Sequence, residues 1–217
     1  GFVPETTVGY KQTEKLTTDQ AKAAEYMAAA GYSEKNANGF YVNGDGQIAS
    51  FTLTVNAARE AHVGYAEMIK NQLEQFGIQV NLDTVDKDSY NAKTSNKFSE
   101  NNITMEAAIY GYTAAGMGMK NGLATIYVDG THPVQGGCQV FDEGFQAILA
   151  EMSAAKTLDE YSTAASEMQD WYAAHMPFIA LYWDSQLLAH SAAYENFTVD
   201  AVFGLNNANT WFSITAK

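Results

Sequence analysis

Two alternating apolar segments on either side of a helical one constrain this chain more than any other feature. Phe51, Leu53 and Val55 alternate with threonines, as in a half-buried strand, and residues 78–85 alternate in the same way. Between these segments an apolar stripe at helical spacing consists of Tyr65, Ile69, Leu73 and Phe76. A strand, a helix and a strand with short connections predict parallel neighbouring strands joined by a right-handed crossover.

The rest of the chain supplies further elements of both kinds. Capping boxes are indicated at Thr17 with Gln20 and at Thr157 with Glu160, and Gly31 stands where a left-handed residue ends a helix. The sequence predicts helices over 19–30, 61–76, 88–96, 142–155 and 158–174, and strands over 40–42, 51–55, 78–85, 105–112, 178–183 and 211–214. We therefore expect an α/β fold, a mixed central sheet with helices on its faces.

Composition excludes several classes of partner. Hydrophobic residues make up 47% of the chain and only 3 residues are proline, so a packed core is expected. The net charge of -13 argues against nucleic acid and against an anionic membrane surface. Arg59 is the single arginine, which makes polyanions poor ligands. No stretch reaches the roughly 18 apolar residues of a membrane span.

Motifs for catalysis and for metal binding are not found. The four histidines are dispersed, Cys138 is the lone cysteine, and the Gly-rich residues 116–120 do not form a phosphate-binding loop. We predict that the chain is not an enzyme and binds neither cofactor nor metal. Two alternatives stay open: an enzyme with an unrecognised site in the loop 113–140, and a self-contained interaction domain such as an adhesion module.

The expected ligand site lies at the end of the strand 105–112 and in the long Gly-rich segment after it. Ligands of open α/β sheets bind outside the carboxyl ends of the strands, and loops of this length in compact domains are usually functional or disordered. We predict ligand contacts by aromatic and methionine side chains, namely Tyr110, Tyr112, Met117, Met119, Tyr182 and Trp183. The alternative is that these side chains are ordinary core and loop residues.

Several short sequence motifs occur in the same order as in a known protein family. A helix over 19–32 ends in Gly31-Tyr32, and the turn 43–46 leads into the strand 51–55. The other motifs that match this family are residues 69–80 around Phe76-Gly77-Ile78, residues 108–112, and residues 176–182, where Ala180 replaces the usual proline. Together they resemble the bacterial extracellular solute-binding proteins of the peptide/nickel-binding type, family 5.

The resemblance implies a fold and a role. Such proteins fold as two lobes around a cleft, and this chain resembles the C-terminal lobe of that type II periplasmic-binding-protein fold, with residues 1–16 as a linker or arm and 17–217 as the lobe. The start, which is neither Met nor a signal peptide, predicts a piece of a longer protein. The implied partners are a small-molecule or peptide solute, the missing N-terminal lobe and an ABC importer permease. The implied location is the outer face of the membrane, as a lipoprotein, or the periplasm.

One departure from the family bears on the solute. Peptide-binding members often present an Asp soon after the strand that matches residues 108–112, to pair with the α-amino group of the ligand. The corresponding residues here are Thr113-Ala114-Ala115-Gly116, without an acid. Either another residue supplies that charge, or the solute is not a peptide with a free N-terminus, for example a nickel chelate or an oligosaccharide.

Overall fold

The chain divides into two compact units. A computed structural model describes residues 2–5, 7–13, 17–94, 105–111, 142–183, 187–200 and 203–217. Of these, residues 17–111 form one unit, here called the sheet unit, and residues 2–13 and 142–217 form the other, here called the terminal unit.

The sheet unit begins with helix α1, Gln20–Ala29. Its cap is Asp19, whose carboxylate accepts a hydrogen bond from the Lys22 amide at 2.9 Å. The predicted cap at Thr17 was wrong. A capping side chain accepts a hydrogen bond from an amide in the first turn of the helix, and because α1 begins at Gln20, it is Asp19 that bonds the third helical amide, that of Lys22. Gly31 has a φ of 89° and ends the helix as predicted, and its amide donates to the Ala28 carbonyl.

A small hairpin follows α1. Strands β1 (Glu34–Lys35) and β2 (Tyr41–Val42) pair antiparallel. The connecting turn is held by the Asn36 side chain, whose Oδ1 accepts hydrogen bonds from the amides of Asn38 and Phe40. The structure confirms β2 within the predicted segment, whereas β1 was not predicted.

The βαβ unit forms as the sequence predicts. Strand β3 (Ser50–Asn56), helix α2 (Glu60–Phe76) and strand β4 (Gln79–Val85) follow one another, and β3 pairs parallel with β4 along their whole length. Gly77 ends α2 with a φ of 116°, and a Cβ there would lie 2.8 Å from the Gly39 carbonyl oxygen. This position therefore requires glycine both for its backbone conformation and for its close approach to the hairpin.

One helix and one strand complete the described sheet unit. Helix α3 is Lys87–Thr94, and strand β5 is Ala107–Ala108, which pairs parallel with β3 on the side away from β4. The order of this three-stranded sheet is β4-β3-β5, and both of its described strand pairings are parallel. The α/β class with helices on the sheet is confirmed. Side chains of β3, β4 and α2 form the core with Ile109, and the fully or nearly buried members are Leu53, Val55, Ala66, Val80 and Ile109.

Two helices build the terminal unit. Helix α4 is Glu143–Ala154 and helix α5 is Leu158–His175, close to the predicted bounds. The predicted capping box is present at the start of α5, where Thr157 and Glu160 exchange hydrogen bonds with each other's amides. Their core is aromatic and sulphur-rich, with buried Phe145, Met152, Met168, Trp171 and Tyr172.

The N-terminal residues belong to this core. Phe2 and Val3 are 8% and 2% exposed and pack with the α4 and α5 side chains. Gln169, which is fully buried, donates to the Gly9 carbonyl and accepts from the Lys11 amide, both at under 3 Å. The described residues of this N-terminal segment therefore pack against α4 and α5. The polarity of the segment as a whole concealed the two apolar residues that anchor it.

Two predicted strands of the terminal unit were wrong. Residues 178–183 form no strand, and Ile179 and Leu181 are 70% and 52% exposed. An apolar run shows that a segment favours burial, but a strand also needs a neighbour to receive its hydrogen bonds. Near the C-terminus the predicted strand 211–214 is instead helix α6 (Ala208–Ser213), because the Asn207 side chain caps it by accepting from the Thr210 amide. The short strands β6 (Tyr194–Glu195) and β7 (Thr215–Ala216) pair beside it.

Candidate functional site

The carboxyl ends of β3 and β5 lie at one edge of the sheet because the two strands are parallel neighbours. Ligands of open α/β sheets bind at this edge. Here it carries a cavity of about 150 Å³, called the edge pocket below. Its lining comes from the end of β3 and the start of α2, from α3, and from residues 109–111; the polar members are Asn56, Arg59, His62, Lys87, Tyr90 and Asn91.

The turn between β3 and α2 places the first polar groups. The Asn56 side chain, 7% exposed, accepts a hydrogen bond from the Ala58 amide at 3.0 Å, and its carbonyl accepts one from the Arg59 amide at 3.0 Å. These two bonds fold the chain back on itself directly after the strand. Arg59 is consequently the residue that immediately precedes α2, and its guanidinium lines the edge pocket.

Tyr90 ties α3 to the end of β5. Its side chain is 5% exposed, and its hydroxyl donates a hydrogen bond of 2.7 Å to the Ile109 carbonyl. Burial raises the pKa of Tyr90 to about 12; the nearby Tyr110 phenol adds to this and the Arg59 charge opposes it. Tyr90 therefore remains a neutral hydrogen-bond donor at physiological pH, and it fixes the backbone on which Tyr110 and Gly111 stand.

His62 and Gly111 also line the pocket. Burial lowers the pKa of His62, and the Arg59 charge lowers it further. The ring is therefore neutral near pH 7. A Cβ placed on Gly111 would lie 3.5 Å from His62 Cε1 and 3.9 Å from an Arg59 guanidinium nitrogen. Any side chain longer than a methyl group at position 111 would thus stand over both residues.

The two charged side chains in the lining of the edge pocket are both cations. Arg59 and Lys87 line it, and none of the described lining residues is an Asp or a Glu. The guanidinium, the ammonium and the two asparagine amides are all hydrogen-bond donors. The lining is thus suited to a ligand group that accepts hydrogen bonds and carries negative charge.

Among the residues predicted for the site, Tyr110 lies in the edge pocket and is 51% exposed. Tyr182 and Trp183 belong to the terminal unit, where Tyr182 is 47% exposed and Trp183 is half-buried, on the segment that forms no strand. Tyr112, Met117 and Met119 lie outside the described residues, as does the loop 113–140 of the enzyme alternative.

Sequence reasoning missed most of the pocket. The rule that ligands bind at strand ends holds for β3 as well as for the strand 105–112, because the two are parallel and end at the same edge. The same rule applied to β3 would have found Asn56 and Arg59. Lys87, Tyr90 and Asn91 carry no comparable signal, because only the packing of α3 brings them to this edge.

The described residues were also searched for metal-binding groups and for membrane-spanning helices. Within the ranges that the structure describes, no group of three or more His, Cys, Asp or Glu side chains is placed to hold a metal ion. None of the helices in those ranges is both long enough and apolar enough to cross a membrane.

Known structures define the class of the fold. The NikZ protein of Campylobacter jejuni, solved with Ni(L-His), aligns over 98% of this chain and 42% of its own with a TM-score of 0.71 and 15% identity. The periplasmic binding protein DppA of Helicobacter pylori, solved with the peptide STSA, aligns over 98% of this chain and 38% of its own, with a TM-score of 0.70 and 21% identity. The fold is that of periplasmic binding proteins.

The sequence gives the family. Residues 1–131, more than half of the chain, match the bacterial extracellular solute-binding proteins, family 5 Middle, and the chain belongs to this family. A curated relative from Deinococcus radiodurans, a probable ABC transporter-binding protein, is 26% identical over 106 residues, which are 48% of this chain and 17% of the relative. The family consists of extracellular or periplasmic solute-binding proteins and not of enzymes, as predicted. The chain spans well under half the length of these relatives.

Proposed function

We propose that this chain is the C-terminal lobe of a two-lobed solute receptor that serves an ABC importer. Membership of the solute-binding family carries this proposal. The lobe comprises residues 17–217, with residues 1–16 as its arm. The edge pocket supports the proposal, because a polar concavity at the carboxyl edge of a parallel sheet is where this class of architecture meets ligands.

The edge pocket fits binding better than turnover. Burial keeps Tyr90 protonated and His62 neutral over the physiological range, and the Tyr90 hydroxyl donates to a backbone carbonyl within its own unit. The Tyr90 hydroxyl, committed to this structural hydrogen bond, holds the backbone of the pocket in place. We therefore propose a passive receptor that binds a solute, closes around it and presents it to a permease.

A receptor of this kind obtains its affinity from two walls. The open and closed states exchange, and the solute stabilises the closed state through contacts that exist only when both lobes engage it. One lobe alone supplies a part of those contacts. The 217-residue chain by itself should accordingly bind the natural solute weakly or not at all.

Peptides are the solute class that we propose first, and a non-peptide solute such as a nickel chelate or an oligosaccharide is the alternative. The half-exposed Tyr110 at the rim of the edge pocket supports either, since an aromatic face packs on side chains, ligand rings and sugars alike. The missing N-terminal lobe and the importer permease are the proposed partners. The proposed location is the extracellular face of the membrane, as a lipoprotein, or the periplasm.

Native mass spectrometry of the receptor, purified at its natural length from its host, tests the proposal. We expect one small solute per protein molecule, released on denaturation and identifiable from its mass. Calorimetry then compares binding of that solute by the natural-length receptor and by the 217-residue chain. Equal, tight binding by the short chain would show that it is not one wall of a two-walled site. Chemical conversion of the solute by the purified receptor would refute the receptor role itself.

A further inference from the structure

We propose that the ion pair of Lys70 and Glu74 closes the outer side of strand β4, the side that faces away from β3, against pairing with a second copy of this chain. The inference does not depend on the receptor role, because it concerns how the sheet unit avoids association. A strand with one unpaired side is a template for the addition of another strand, and proteins protect such strands with charged side chains.

The backbone of β4 has two hydrogen-bonding sides. The Gln79 amide and the Val85 carbonyl both bond the segment that contains β3. Because successive residues of a strand direct their backbone groups to opposite sides, Val80, Leu82 and Thr84 direct theirs to the outer side. In the three-stranded sheet that the structure describes, β4 is a terminal strand, and no described strand pairs with it on that side.

Val80 nevertheless has both of its outer backbone groups occupied. Its carbonyl accepts a hydrogen bond of 2.7 Å from the Lys70 ammonium, and its amide donates to the Glu74 carboxylate. Lys70 and Glu74 also bond each other at 2.6 Å and lie one turn apart on α2. The pair thus presents one donor and one acceptor to Val80, as a residue of a neighbouring strand would.

Burial separates this arrangement from an ordinary surface ion pair, which contributes little to stability. Val80 is 0% exposed, and the Lys70 and Glu74 side chains that bond it are 31% and 29% exposed. The hydrogen bond from Lys70 contributes most to lowering the pKa of Glu74, and the Val80 amide lowers it further, so the carboxylate stays charged at neutral pH. A strand approaching Val80 would first have to separate these charges from their partners.

The sequence of β4 shows why such protection is useful. Residues 78–85 combine apolar and β-branched side chains with a single charge, that of Asp83, and contain no proline. This composition is typical of segments that pair with identical strands. A second copy brings the same segment with the same outer backbone groups, so a two-fold β4–β4 pair is the association that the ion pair prevents.

Amide hydrogen exchange of the ¹⁵N-labelled 217-residue chain tests the hydrogen bonds in the wild type. After correction for intrinsic rates, the Val80 amide should exchange about ten-fold more slowly than those of Leu82 and Thr84, the usual effect of one hydrogen bond to a charged group. Equal exchange of the three amides would overturn the inference, whether or not any variant folds.

A double variant then tests the closure itself. Lys70→Ala with Glu74→Ala removes the pair, keeps the net charge and places a strong helix former at both positions. In sedimentation velocity we expect it to dimerise more strongly than the wild type at the same concentration. Adding Thr84→Pro should reverse this, because a proline there blocks the outer side and removes no bond to β3. Lys22→Ala with Glu25→Ala, on exposed α1, is the matched control and should leave the association state unchanged.

Two sedimentation results would also overturn the inference. A double variant with native circular dichroism that associates no more than the wild type would reduce the pair to a helix-stabilising contact. Association that the α1 control shares, or that Thr84→Pro does not reverse, would assign it to another surface. If the double variant does not fold, the exchange rates of the wild type decide. The receptor role is unaffected, since it fails only if the natural-length protein carries no solute or converts it chemically.

Discussion

The hydroxyl of Tyr90 gives the sharpest test of how the edge pocket is built. Tyr90→Phe removes one oxygen and leaves the buried ring in place, so the hydrogen bond of 2.7 Å to the Ile109 carbonyl is lost without a cavity. A backbone carbonyl deprived of its partner in this way costs about 1–3 kcal/mol. We expect the sheet unit of the variant to be less stable than that of the wild type by this amount at pH 7.

The same residue predicts how that difference depends on pH. The pKa of Tyr90 is about 12 in the folded chain, whereas an unfolded tyrosine titrates near 10. As the pH rises above about 10, the unfolded chain loses this proton first, so the unfolded state is stabilised at about 1.4 kcal/mol per pH unit. The wild type therefore loses about 1.4 kcal/mol by pH 11 on account of Tyr90. Phenylalanine has no such proton, and the gap between the two proteins should narrow accordingly.

Urea denaturation of both proteins at pH 7, 9, 10 and 11, followed by circular dichroism, measures the effect. Tyr26→Phe is the control, because it removes a phenol from an exposed position on α1 of the same unit. It should leave the stability at pH 7 unchanged relative to the wild type. Equal stability of wild type and Tyr90→Phe at pH 7, or parallel curves up to pH 11, would contradict both the hydrogen bond and the burial on which the description of the pocket depends.

Two further predictions concern His62 in the lining of the edge pocket and the N-terminal arm. Burial and Arg59 lower the pKa of His62 below its usual value of about 6.5, so the unfolded chain takes up this proton first as the pH falls. Stability should therefore decline on acidification between pH 6.5 and the lowered pKa by an amount that His62→Gln abolishes; identical pH profiles of the two proteins in thermal denaturation would refute this. Gly9→Ala should destabilise the terminal unit by about 2–5 kcal/mol, since φ is +78° and the new Cβ would lie 2.6 Å from Ala165 Cβ. Gly31→Ala, with a φ of +89° and no atom within 4 Å, should cost only about 1–2 kcal/mol in denaturant titrations, and equal effects of the two substitutions would mean that the arm does not pack on α5.

The strands and helices that the sequence predicted well are those in which apolar residues recur at a regular spacing along the whole element. The stripe along α2, the alternation in β3 and β4, and the caps at Gly31 and Thr157 are local: each depends on residues a few positions apart. The sequence also contains enough motifs of the family to indicate a solute-binding protein, and the family match over residues 1–131 confirms this prediction. Local chemistry and family likeness thus established the class of the fold.

The sequence by itself did not determine which segments find partners. The apolar run 178–183 has the pattern of a strand but forms none in the structure, and the C-terminal segment after the Asn207 cap is a helix. For the same reason the edge pocket was largely missed. Asn56, Tyr90 and Ile109 are far apart along the chain, and only the parallel pairing of β3 with β5 and the docking of α3 bring them together. The spacing of apolar residues indicates which face of a helix or strand is buried. The site depends instead on which helices and strands contact one another, and the packing of the whole sheet unit decides that.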